Sequence, residues 1–123
     1  MTSRAVMCQS ASVELDVSTT DQDGRTVVAA TGEVDLFTAP ALDAELTRVV
    51  SSGASAVVVD LTGVDFLDST GLSVLVKALK RVRESGGSLA VVVASERVAK
   101  VFRITGLDQI LPVHPTLAEA LGS

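Results

Sequence analysis

Apolar and acidic residues alternate one for one through Val13-Glu14-Leu15-Asp16-Val17, the period of a strand with one wet face, as an edge strand has. Asp21-Gln22-Asp23-Gly24 reads as a turn. Thr26-Val27-Val28-Ala29-Ala30-Thr31-Gly32 then resumes strand character, so the two segments form a hairpin, and Gly32-Glu33-Val34-Asp35 leads the chain off that sheet. From Thr38 the period lengthens: a threonine cap, Pro40 in the first turn and apolar residues at Leu42, Leu46, Val49 and Val50 predict an amphipathic helix ended by Ser51-Ser52-Gly53. Ala56-Val57-Val58-Val59 is continuously apolar and β-branched, which a strand tolerates when both its faces are covered. Asp60 is where that strand is expected to stop.

Leu61 to Asp68 reads as a connection, followed by a long helix from Ser69 to Glu84 with Leu72, Leu75, Val76, Leu79 and Val82 on one stripe. Lys77, Lys80, Arg81 and Arg83 fall between them, three of the four in the last turns, where cations complement the helix dipole. Ser85-Gly86-Gly87 stops the helix. Leu89-Ala90-Val91-Val92-Val93-Ala94 is a second buried-type strand, and Ser95 caps a shorter helix, Glu96 to Ile104, closed by Gly106. Ile110-Leu111-Pro112-Val113 predicts a short last strand and Pro115 to Leu121 a final helix. The order ββαβαβαβα implies right-handed crossovers and an α/β fold: a mixed, mostly parallel sheet with an opening β-hairpin and four helices.

A chain of 123 residues suits one domain, expected to span residues 13–123 after a flexible segment of residues 1–12. No apolar run approaches the ~18 residues a membrane span needs. The first ten residues lack the continuous apolar stretch of a secretory signal, so a cytoplasmic location and no direct membrane contact are expected. Cys8 is the only cysteine and His114 the only histidine, which excludes an internal disulfide and a Cys/His zinc site, and no cofactor or metal is implied. A net charge of −5 and 2% aromatic residues oppose nucleic acid as a partner. A catalytic triad would have to use His114, which lies between Pro112 and Pro115 and is expected in a surface turn. Asp65 and Asp68 are better explained as turn or cap residues than as an acid/base pair, so a non-enzyme is expected.

The segment that departs most from plain packing is Asp65-Phe66-Leu67-Asp68-Ser69-Thr70-Gly71-Leu72, at the entry to the long helix. Helix N-termini at such junctions present unpaired N–H groups and the positive end of a dipole, a field that favours phosphate on a nearby hydroxyl. Plain capping accounts for the same residues: Asp68 or Ser69 as the cap, Thr70 in the first turn, Gly71 for close packing.

Val57-Val58-Val59-Asp60-Leu61 followed by Val64-Asp65-Phe66-Leu67-Asp68-Ser69-Thr70-Gly71-Leu72 resembles the signature of STAS domains, specifically the bacterial anti-sigma factor antagonists. Gly32-Glu33-Val34-Asp35-Leu36 with Thr38-Ala39-Pro40-Ala41-Leu42, and Phe102-Arg103-Ile104-Thr105-Gly106-Leu107, resemble further elements of that family. Together these cover roughly Val13 to Leu121. The resemblance implies a protein switch: an antagonist that binds an anti-sigma factor with serine kinase activity, frees the sigma factor, is phosphorylated on the serine after the aspartate, and is reset by a serine phosphatase. That serine is Ser69, with Thr70 as a secondary position. Asp35, Asp68, Ser69, Thr70, Gly71 and Leu72 are the partner-binding residues it implies, and family precedent favours a monomer in the free state.

Other readings fit less of the chain. A receiver domain could use Asp60 as phospho-acceptor, but the first strand leads into Val17-Ser18-Thr19-Thr20 without the acidic pair that holds Mg²⁺. Nucleotide binding finds no Gly-rich Lys-Ser/Thr loop. The alternative that keeps the fold is a STAS subunit of a membrane lipid-transport ATPase, docking through the same helix without phosphorylation.

Overall fold

The computed structural model describes residues 15–122, and Cys8 and the expected flexible segment lie outside them. Strand β1 (Leu15–Gln22) turns into β2 (Arg25–Val34); α1 (Ala39–Ser51), β3 (Ala56–Leu67), α2 (Ser69–Glu84), β4 (Ser88–Val92) and α3 (Glu96–Thr105) follow. A single turn of 3-10 helix at Leu107–Gln109, then β5 (Val113–His114) and α4 (Leu117–Gly122), complete the order. The sheet runs β1-β2-β3-β4-β5, with β1 antiparallel to β2 and every later pair parallel.

An order that never reverses, joined by right-handed crossovers, puts every crossover helix on one face. Accordingly α1, α2 and α3 cover Val28, Val57, Val59, Leu89 and Val91 through Leu42, Leu46, Leu75, Leu79, Val98 and Phe102. The other face holds a smaller cluster, Val27, Val58 and Val92 under Ala120 of α4. Burial on both faces is why β3 begins as an unbroken valine run. Each fully buried leucine, such as Leu42 or Leu75, contributes about 1.5–3 kcal/mol.

Four expectations are corrected. β3 does not stop at Asp60 but continues to Leu67, because β2 also runs on to Val34 and pairs with it through Gly32↔Val64 and Val34↔Leu67. Two register shifts, between Ala29 and Thr31 and between Gly32 and Glu33, break the alternation there. Only Leu61, Val64 and Leu67 of that stretch are buried, a spacing of three that reads as a loop in sequence. The last strand lies at Val113–His114 rather than Ile110–Val113: Ile110 is half exposed, while the carbonyls of Pro112 and His114 accept from Val91 N (2.9 Å) and Val93 N (2.9 Å). His114 is therefore a half-buried strand residue, not a turn residue. Thr38 does not cap α1 with its side chain, as described below.

Gly106 ends α3 with φ 78°, a left-handed conformation that an L side chain adopts only with strain. Among the described residues no helix is long and apolar enough to cross a membrane, and no group of three or more His, Cys, Asp or Glu is placed to hold a metal ion.

Candidate functional site

Because Val34 and Leu67 are register partners, the two strand-to-helix junctions that follow them, β2 to α1 and β3 to α2, lie side by side. A hydrogen bond from Asp68 N to the Val34 carbonyl (3.2 Å) fastens one to the other. This is how two segments distant in sequence, around Asp35 and around Ser69, come to share one end of the sheet.

At the second junction Asp68 has extended backbone (φ −101°, ψ −173°) and is the N-cap of α2. One carboxylate oxygen accepts from Thr70 N (2.9 Å) and Gly71 N (3.2 Å), satisfying two of the donors a helix start leaves open. Ser69 is the first helical residue, exposed, and its hydroxyl makes no hydrogen bond among the described residues. Its carbonyl accepts from Ser73 Oγ (3.0 Å). Thr70 is half buried. Gly71 is buried where α2 meets the strand ends: a Cβ there would stand 2.5 Å from Leu67 Cδ1 and 2.7 Å from Val34 Cγ1. Leu72, with 8% of its surface left, joins the core and floors a groove along α2.

The first junction is built differently. Asp35 Oδ1 accepts from Phe37 N (2.9 Å) and Thr38 N (3.0 Å), an Asx turn that shapes the loop ahead of α1. Thr38, 7% exposed, donates its hydroxyl to the Glu33 carbonyl (2.7 Å) and accepts from Asp35 N (2.9 Å). So no side chain caps α1: the aspartate shapes the turn ahead of the helix, and the threonine ties that turn back to β2. This folding presents Leu36 and Phe37 outward, 63% and 81% exposed.

The geometry thus gathers Asp35, Asp68, Ser69 and Thr70, and buries Gly71 and Leu72, whose contribution to the site is position. Leu36 and Phe37, beside Asp35 in this loop, lie outside the expected set of residues. Their signal in sequence is two large apolar residues inside a loop, between a strand end and a helix start, where neither the strand nor the helix period calls for them. Asp65 is exposed on β3, and Asp60 accepts from Thr62 N (3.0 Å) on the strand. Neither belongs to this cluster of capped junctions.

Residues 16–120 match the model of the STAS domain. The chain belongs to the STAS domain family. This STAS chain is 34% identical over 102 residues to an anti-sigma-B factor antagonist of Staphylococcus aureus, covering 83% of this chain and 94% of the relative. To the anti-sigma-B factor antagonist of Bacillus subtilis it is 37% identical over 101 residues, 82% of this chain and 90% of the other. The crystal structure of an anti-sigma factor antagonist from Mycobacterium paratuberculosis superposes with a TM-score of 0.85 at 36% identity, covering 93% of this chain and 97% of that one.

Proposed function

We propose that this STAS chain is an anti-sigma factor antagonist: it binds an anti-sigma factor that has serine kinase activity, releases the sigma factor, and is switched off by phosphorylation of Ser69. The observation that carries the reading is the state of Ser69, an exposed hydroxyl without a hydrogen bond among the described residues, at the start of a helix already capped by Asp68. The names of its relatives, antagonists of anti-sigma factors, support the same role.

In this reading the chain is a substrate and not a catalyst. The Ser69 oxygen bonds to the γ-phosphorus of ATP held by the partner, ADP leaves, and the hydroxyl proton is given up; a serine phosphatase hydrolyses the ester later. Leu36 and Phe37 supply the apolar part of the contact, with Asp35 shaping their loop. Phosphate adds about −1.5 to −2 charges beside Asp68. The helix N-terminus tolerates that charge within the domain, by a fraction of a kcal/mol to about 2. Against a partner the same group must be desolvated, and a loss of ~2.8 kcal/mol there weakens binding about a hundredfold.

The test is calorimetry with the serine-kinase anti-sigma factor of the same organism. Ser69→Ala binds tightly and takes up no phosphate from ATP, whereas the phosphorylated wild type binds about a hundredfold more weakly. Equal affinities for both forms would overturn the switch and return the transporter-subunit reading to the front.

A further inference from the structure

Seven of the ten Lys and Arg residues, but only two of the fifteen Asp and Glu, lie between Ser69 and Thr105, all of them on α2 and α3. A chain of net charge −5 therefore carries a basic stretch of sequence within an acidic whole. Along α2 this charge borders an open groove of about 590 Å³ that runs from Ser69 to Glu84 and is closed on its far side by Thr105 and Leu107. Its floor is apolar, Leu72, Val76 and Leu107. Lys77, Lys80 and Arg81 stand on its rim; Lys77 is held by Asp43 (2.9 Å), while Lys80 has no ion-pair partner among the described residues.

We propose that this groove receives an acidic amphipathic helix of a partner protein. A helix laid beside α2 would set an apolar stripe on the floor and carboxylates against Lys80 and Arg81, the anchoring pattern of helix-in-groove recognition. Nucleic acid has the right sign but no apolar stripe for the floor, and the acidic remainder of the chain repels an extended polyanion or a broad anionic membrane surface. A second copy offers acids, but the apolar stripes of its α1, α2 and α3 are already buried in its own core. Ser69 lines one end of the groove, so a phosphate there stands against the same acidic occupant. That last link alone rests on the proposed phosphorylation.

The experiment uses a synthetic Glu/Leu helical peptide of about 18 residues, five turns, with leucines at i, i+3, i+4 and i+7. It is titrated into the nitrogen-labelled full chain and followed by backbone amide shifts, beside a scrambled Glu/Leu peptide, phosphatidylglycerol vesicles and duplex DNA. Shifts centre on Leu72, Val76, Lys80 and Leu107, and the Lys80→Glu/Arg81→Glu chain, with an otherwise native spectrum, binds at least about tenfold more weakly. Lys80→Gln gives the same test with a smaller loss should the double reversal not fold. The proposal is overturned by shifts centred elsewhere, by equal binding of the scrambled peptide or of the charge-reversed chain, by tighter binding of vesicles or DNA, or by self-association that fills the groove. If charge reversal weakens the peptide and Ser69→Glu does not, the groove stands and its link to the switch falls.

Discussion

The two helix starts at the end of β2 and β3 use the same device and put it to opposite ends. Each has an aspartate whose carboxylate gathers two successive backbone N–H groups, Phe37 and Thr38 for Asp35, Thr70 and Gly71 for Asp68. Each has a hydroxyl residue nearby. At α1 that hydroxyl, Thr38, is buried and locked between Glu33 O and Asp35 N; at α2 it is Ser69, exposed and without a hydrogen-bond partner among the described residues. With capping delegated to Asp68, Ser69 makes no hydrogen bond among the described residues that would hold the junction, and so it is open to the proposed phosphorylation. Thr38 is not.

The sharpest way to break the comparison is to remove both hydroxyls. Thr38→Val keeps the shape but leaves the Glu33 carbonyl and Asp35 N without their partner, and should cost about 1–3 kcal/mol in urea unfolding. Ser69→Ala should change stability by less than ~0.5 kcal/mol, as surface substitutions do. A comparable loss for both would mean that Ser69 has a structural partner after all.

The aspartates separate cap from charge. Asp68→Ala removes the acceptor for Thr70 N and Gly71 N and should destabilise by about 1 kcal/mol. Asp68→Asn keeps an acceptor and should lie within a few tenths of wild type. A large loss for both substitutions would show that the negative charge at the helix dipole, rather than the hydrogen bonds, holds the junction.

How much of this could be read in the sequence follows from where local rules governed. The crossover helices and the valine strands follow their periods closely, and α2 begins at Ser69 and ends at Glu84 as its cap and glycines indicate. The second half of β3 was hidden because two register shifts set its burial to every third residue. β5 was displaced because Pro112 contributes only a carbonyl, so the paired strand starts one residue on, at Val113. Within the site, the sequence narrows the cap of α2 to Asp68 or Ser69, and the backbone N–H groups of Thr70 and Gly71 turning to the carboxylate decide for Asp68. That Thr38 would not cap α1 with its side chain was not legible: its hydroxyl is taken by the Glu33 carbonyl as the loop doubles back, a tertiary contact that no local pattern encodes. The exposure of Leu36 and Phe37 follows from the same doubling back.

The smallest expected effect asks whether the α1 side is also anchored farther along the helix. Glu45 lies half buried between Arg48, one turn on, and Thr19 of β1, whose hydroxyl donates to it. The Arg48 hydrogen bond, helped by Thr19 and by the guanidinium charge and opposed by burial, holds the Glu45 carboxyl below its ordinary 4.5. A lowered value in the folded state means that the ionised pair stabilises above pH 4.5 and that this contribution is lost as the pH falls through the folded value. The pair is largely solvent-screened, so Glu45→Gln should cost no more than about 0.5 kcal/mol at neutral pH. Its urea midpoint should converge on that of the wild type as the pH is lowered from 4.5 past the folded-state value, where the carboxylate is protonated. A constant gap down to that pH would mean that packing of the side-chain stem, and not its charge, ties α1 to the edge strand.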